Sequence, residues 1–189
     1  ENVIPLWVAD MDFACPDFVR QALIERAMHP IYGYTLIPES LFTCVINWMH
    51  RRHGWMVEKN WISFTPGIVP ALNLSVMAYT RPGDKIIVQP PVYFPFFSAV
   101  KNNNRQLVYN QLMEKNGSYS MDLKDLEQKM DKKTKLLLLC HPHNPVGCVW
   151  EKDVLENLVY LCAKNNITIV SDEIHSDLML NGIKHIPIA

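Results

Sequence analysis

An α/β fold, three α/β/α layers around a mostly parallel central sheet, is what the sequence predicts, and three observations carry the prediction. From residue 62 onward short apolar runs alternate with segments of helical spacing. Two of the runs, Leu136-Leu137-Leu138-Leu139 and Ile167-Thr168-Ile169-Val170, are apolar on both faces, as expected of central parallel strands covered by helices on each side. Two helical patterns come before the first run.

The elements follow in order. Apolar residues recur at three- and four-residue steps over about 17–28, with Asp17 read as the cap of FVRQALIERAM, and over 39–53 in ESLFTCVINWMHRRH. Strands and helices then alternate: ISF (62–64) before a helix from about 67, KIIVQ before YFPFFSAVK, QLVYN before MDLKDLEQKM, KLLLLC before EKDVLENLVYLCAKN, and last ITIVS. Of the phenylalanines after the KIIVQ strand, Phe94, Phe96 and Phe97 are read as core packing.

The 189 residues suffice for one domain with a sizeable core, or for part of a two-domain enzyme. Glu1 is not a start methionine, and Ala189 follows His185-Ile186-Pro187 without a helix or domain closure, so the chain is expected to be cut at both ends. A hydrophobic share of 49%, a charged share of 20% and a net charge of -1 give no reason to expect a nucleic acid or another polyanion as partner. No window approaches the roughly 18 apolar residues of a membrane span, and no basic-then-apolar leader opens the chain. A cytoplasmic protein is expected. The odd number of cysteines (Cys15, Cys44, Cys140, Cys148, Cys162), none in a CxxC pair, suits a reducing compartment, with all five read as buried or half-buried thiols.

In open α/β sheets ligands bind beyond the carboxyl ends of the strands, so the chemistry is sought just after each strand. At Thr65-Pro66-Gly67-Ile68-Val69-Pro70 a helix opens, which points free backbone N–H groups and a positive dipole end at the crevice; a phosphate would fit there, although such a turn by itself is ordinary. At His141-Pro142-His143-Asn144-Pro145-Val146-Gly147 the prolines stiffen the backbone around the Asn144 amide. The two histidines there point to opposite sides of an extended segment, which argues against a metal site. At Ser171-Asp172-Glu173-Ile174-His175-Ser176-Asp177 a carboxylate ends a buried strand, where it needs a cationic or hydrogen-bonding partner. A protonated pyridine nitrogen against Asp172 would supply one, with His175 nearby to orient it. Glu173 and Asp177 are read as cap or solvated loop acids. Tyr93, after the strand KIIVQ, offers a flat ring at the same edge, either for stacking on a planar cofactor or for core packing.

TPG near a helix start, PPVYFPF, HPHNPVG and SDEIHSDL, in this order, resemble the fold-type I pyridoxal-phosphate enzymes of the aminotransferase superfamily. WVADMDF, YGYT and SDEIHSDL are similar to the cystathionine β-lyase group (MalY and PatB) within it. The resemblance covers essentially the whole chain. It implies an incomplete large domain of a pyridoxal-phosphate-dependent transferase at 51–189, with 1–50 as an N-terminal segment and helices contributing to the substrate entrance and a dimer interface.

Position by position, the resemblance implies the amides of Gly67, Ile68 and Val69 around the cofactor phosphate, Tyr93 stacked on its ring, Asn144 donating to its phenolic oxygen, Asp172 on its pyridine nitrogen and His175 near that oxygen. Tyr34 would reach the phosphate of the neighbouring subunit of a homodimer, and Trp7, Ala9, Asp10 and Met11 would line the substrate entrance. The Schiff-base lysine of the family is expected beyond Ala189, since Lys184, the last lysine, follows the Asn181-Gly182 turn outside any such motif. The implied activity is C–S β-lysis of sulfur amino acids to thiol, pyruvate and ammonia. An aminotransferase on the same scaffold is the close rival, and a non-catalytic regulator a further one. A nicotinamide-binding Rossmann domain is disfavoured because no GxGxxG follows a strand.

Overall fold

The computed structural model describes residues 3–4 and 11–189. Two helices, α1 (Asp17–Met28) and α2 (Glu39–His53), precede a 3-10 turn at Lys59–Trp61. There follow α3 (Ile68–Tyr79), β1 (Lys85–Val88), α4 (Pro95–Lys101), β2 (Gln106–Tyr109), β3 (Met113–Lys115), β4 (Ser118–Ser120), α5 (Leu123–Lys129), β5 (Thr134–Cys140), α6 (Lys152–Lys164) and β6 (Thr168–Asp172). Two compact units divide the chain, residues 1–41 and 42–189.

In the first unit α1 buries none of its residues. Its N-cap is Pro16, not Asp17 as the sequence reading has it; Asp17 is the first helical residue and its Oδ1 accepts from Arg20 Nη2 at 2.8 Å. With proline in the cap position there is no side-chain oxygen to close the first turn, so the Asp17 carboxylate acts through the helix dipole and the exposed i,i+3 pair.

The second unit holds the sheet. Its strands run β2-β1-β5-β6, all parallel, with Ile86 opposite Leu107 and Leu136, and Leu138 opposite Val170. Side chains alternate across the pleat, and the two cores show it. Ile86, Val88, Leu136 and Leu138 pack on one face with Leu72 and Val76 of α3 and Phe96 and Val100 of α4. Ile87, Leu137 and Leu139 pack on the other with Leu126 of α5 and Leu155, Leu158 and Cys162 of α6. Three layers result, because strands apolar on both faces stay dry only between two layers of helix. No helix among the described residues is long and apolar enough to cross a membrane.

Four local readings are corrected. Ile62-Ser63-Phe64 is not a strand; Ile62 has extended backbone, but no neighbouring strand is hydrogen-bonded to it, and an unpaired ladder is no strand. β6 is an edge strand of the described sheet and half-exposed rather than central, since only β5 pairs with it. Phe96 is fully buried and Phe97 packs against the same core, but Phe94 is 71% exposed, because it sits in the N-cap position of α4 where the chain is still turning. Among the cysteines, Cys140 and Cys162 are buried and Cys148 half-buried, whereas Cys15 lies in the exposed approach to α1 and Cys44 on an exposed part of α2.

The sequence reading passed over a β-hairpin: β3 and β4 pair antiparallel, Met113 with Ser120 and Lys115 with Ser118. Asn116 and Gly117 join them with φ of 53° and 78°, the left-handed pair that a tight hairpin turn requires.

Candidate active site

The site grows from the carboxyl ends of β1, β5 and β6, which lie side by side. After β1 the chain turns through Pro90 and Pro91 to Tyr93, whose N–H donates to the carbonyl of Asn144 at 3.0 Å. After β5, the imidazole Nε2 of His143 bonds the carbonyl of Pro91 at 3.0 Å. These two bonds tie the β1 turn to the β5 turn, which brings Tyr93 and Asn144 together. Tyr93 is 39% exposed, and its ring meets Phe94 edge to face at 5.1 Å, leaving it open to a planar ligand.

Asn144 is half-buried, and its own N–H donates to Cys140 Sγ at 3.3 Å. Asn144 and His175 line the same cleft of about 410 Å³, with His143, Gly147, Leu178 and Ile183 also in its wall. Tyr93, Asp172 and the α3 terminus lie outside that wall.

Asp172 ends β6 and is 8% exposed. His141 N–H donates to its carbonyl at 2.9 Å, and its Oδ1 accepts from Ile174 N–H at 3.2 Å. Burial pushes the Asp172 carboxyl above the ordinary carboxylate range, against the pull of the Ile174 N–H and the nearby His175. A cation placed against this carboxylate would reverse that balance.

Gly67 caps α3 with φ of 134°, a backbone angle open to glycine alone, and a Cβ there would meet nothing closer than Pro70 Cδ at 3.7 Å. The cap is therefore set by conformation, not by space. Ile68 and Val69 open the helix, Pro70 has no N–H to give, and all three leading residues are exposed. The first-turn amides and the dipole suit an anion here. α3 itself packs against β5 and β6.

His141 and His143 do diverge: His141 Nε2 bonds the carbonyl of Ile186 at 3.1 Å, while His143 packs its ring against Trp150. Among the described residues no group of three or more His, Cys, Asp or Glu could hold a metal ion. Tyr34 is exposed, as is Met11; Trp7, Ala9 and Asp10 lie outside the described residues.

Two acids read as caps or solvated loop groups turn out to be ties. Glu173 Oε2 sits 2.7 Å from His185 Nε2, and its Oε1 accepts from Ile188 N–H at 3.2 Å. Burial alone would raise the Glu173 carboxyl, but the bonds from His185 and Ile188 outweigh it and hold the group below the ordinary range. Asp177 accepts from Trp48 Nε1 at 3.0 Å and Arg52 Nε at 3.2 Å, which fastens the turn after β6 to α2. Neither role is local. A signal existed for Glu173, since neighbours at a strand end face opposite ways and two acids there cannot share one environment.

The geometry of parallel strands, a glycine-capped helix and a buried acid at a strand end agrees with the sequence comparison. Residues 1–188 match the family model for aminotransferase class I and II. The chain belongs to this family. Among relatives of this aminotransferase-family chain, cystathionine beta-lyase PatB of Bacillus subtilis is 49% identical over all of this chain and 49% of its own length. The fold of cystalysin from Treponema denticola, whose crystal structure contains a pyridoxal 5'-phosphate cofactor, superposes with a TM-score of 0.94 at 42% identity, covering 98% of this chain and 48% of that one. A pyridoxal-phosphate-bound C–S lyase from Staphylococcus hominis gives a TM-score of 0.92 at 35% identity, covering 97% and 47%. The chain spans about half the length of the curated relatives it matches.

Proposed function

We propose that this chain is the cofactor-binding part of a pyridoxal-phosphate-dependent carbon–sulfur β-lyase, which converts a sulfur amino acid and water to a thiol, pyruvate and ammonia. The observation that carries the reading is Asp172, a buried carboxylate at the end of β6 whose ionisation is disfavoured until a cation sits against it. A protonated pyridine nitrogen is such a cation, and the residues around it fit the rest of the group. The amides of Gly67, Ile68 and Val69 suit the phosphate, the exposed ring of Tyr93 suits the pyridine face, and Asn144 with His175 in one cleft suits the phenolic oxygen. Pyridoxal phosphate, when bound, supplies a ring that accepts electron density from the substrate α-carbon. Asp172 would keep the ring nitrogen charged for that purpose, and the Asn144 amide would donate to the phenolic oxygen.

The lyase reading is supported over transamination by likeness to a cystathionine β-lyase at 49% identity and to C–S lyase structures. Tyr93, Asn144 and Asp172 would serve either reaction. In the same proposal Tyr34, an exposed side chain, acts on the phosphate of a neighbouring subunit, and Trp7, Ala9, Asp10 and Met11 border the substrate entrance.

The test is an assay of the full-length protein with cystathionine, measuring pyruvate and free thiol, beside an assay of amino-group transfer to a 2-oxo acid. Equal amounts of pyruvate and thiol are expected. Amino transfer without pyruvate would assign the aminotransferase activity instead.

A further inference from the structure

Three imidazoles meet behind the carboxyl end of β6. The ring of His185 lies 4.6 Å from that of His141 and 5.4 Å from that of His53, centroid to centroid. His185 is buried, and its Nε2 is 2.7 Å from Glu173 Oε2. His141 is fully buried; its Nε2 bonds the carbonyl of Ile186. The Nδ1 atoms of both rings are buried without partners, so each ring's hydrogen bonding runs through Nε2 alone. One backbone bond connects this cluster to the candidate site: His141 N–H to the carbonyl of Asp172, at 2.9 Å.

These contacts close a loop around a single peptide. Asp172 is held at its carbonyl by His141, and the next residue, Glu173, is held at its carboxylate by His185 and by the N–H of Ile188. His141 and His185 are in turn in tilted ring contact, and His141 holds Ile186, the residue after His185. Glu173 is the first residue after the end of β6, so anchoring its side chain limits how the peptide it shares with Asp172, and with it the Asp172 carboxylate, can turn. β6 is paired on one side only among the described strands, so its last residue draws its orientation from such contacts more than an interior strand would.

We propose that Glu173 and His185, backed by the His141 ring, are positioning residues that aim the Asp172 carboxylate at the cofactor nitrogen. The inference rests on the reading of Asp172 under the proposed function and adds to it a set of residues on the far side of the strand. Removing the partners that orient a metal ligand typically costs about 10- to 100-fold in affinity, and a loss at the lower end of that range is expected for a carboxylate oriented in the same way.

A double-mutant cycle in the full-length protein tests this. The probe is pyridoxamine 5'-phosphate, which keeps the ring nitrogen and the phosphate and forms no imine, so its binding, followed by fluorescence quenching, reports non-covalent contacts. Glu173→Ala is expected to weaken binding about tenfold in the Asp172 background and less than about twofold in the Asp172→Asn background, the non-additivity of residues that act through one another. Glu173→Gln, which keeps an acceptor for His185 Nε2 and Ile188 N–H, should restore binding to within about threefold. If Glu173→Ala does not fold, His185→Leu carries the same cycle, because it keeps the ring's bulk approximately and removes the donor. Equal losses in the two backgrounds would overturn the positioning role and leave the site reading intact. Unchanged binding in Asp172→Asn alone would overturn the site reading and the inference with it.

Discussion

The indole Nε1 of Trp48 donates to Asp177 Oδ2 at 3.0 Å, across 129 residues of sequence, and so fastens the turn that follows β6 to α2. The neighbouring Arg52–Asp177 pair is half-exposed and contributes little by itself. Trp48→Phe keeps most of the ring and deletes the donor. It should lower stability by about 0.5–1.5 kcal/mol in urea unfolding, with the denaturant slope unchanged.

Asp172 sets stability against binding. Its carboxyl is raised in the folded state, so the fold prefers the protonated form; the stability this gives is present below the ordinary value of 3.8 and is lost as pH rises through the raised value. Asp172→Asn removes the penalty. The cofactor-free variant should melt at a higher temperature than the parent at pH 7 and with little difference in strong acid. The same variant should bind the cofactor more weakly, by about 1.5–3 kcal/mol for a lost charge-assisted contact, measured by titration.

Gly67 at φ of 134° fixes the α3 cap. Gly67→Ala has room for its methyl group, with Pro70 Cδ at 3.7 Å, so the cost is backbone strain alone, about 1–2 kcal/mol. Thermal melts measure that cost, and a matching loss of phosphate affinity shows whether the first-turn amides have moved.

Lys85 Nζ donates to Asp131 Oδ2 at 2.6 Å, and this bond, with a backbone bond from Lys133, holds the Asp131 carboxyl at about 2. A lowered carboxyl stabilises the fold above its ordinary pKa of 3.8 and loses that contribution as pH falls through about 2. Lys85→Met should flatten the acid limb of the stability curve over that interval. Fluorescence-detected acid unfolding of the two proteins is the comparison to make.

Leu137 is fully buried between Ile87 and Ile169 in the strand register, on the face covered by α5 and α6. Leu137→Ala should cost about 2–5 kcal/mol, the range for a core cavity that collapses only in part. Chemical denaturation gives the number directly.

Much of this architecture was legible because it is written locally. The leucine run of β5 is buried on both faces as its composition demands, and the helical spacing over 39–53 reproduces α2. Ile62–Phe64 misled because a strand needs a neighbour, and no local pattern encodes one. The hairpin is signalled by Asn116-Gly117 alone, because the short flanking strands carry no clear alternation of apolar and polar residues. At the candidate site, the strand-end rule points to Tyr93, Asn144, Asp172 and His175, and all four lie at or just beyond the carboxyl ends of β1, β5 and β6. It could not find the tie between Glu173 and His185, whose pairing depends on how the chain after β6 folds back.

The order of the sheet has a consequence for how the molecule comes to be able to bind. β1-α4-β2 and β5-α6-β6 are each a strand, a helix and a parallel strand contiguous in sequence, and they meet along one seam, where Ile86 faces Leu136. Contacts inside each unit close shorter loops than the seam does, so the units should gain structure first and dock afterwards. Both hydrogen bonds that bring Tyr93 and Asn144 together, Tyr93 N–H to Asn144 and His143 to Pro91, cross that seam. Capacity to hold a ligand should therefore appear late in refolding and abruptly, with the docking step rather than with the growth of secondary structure.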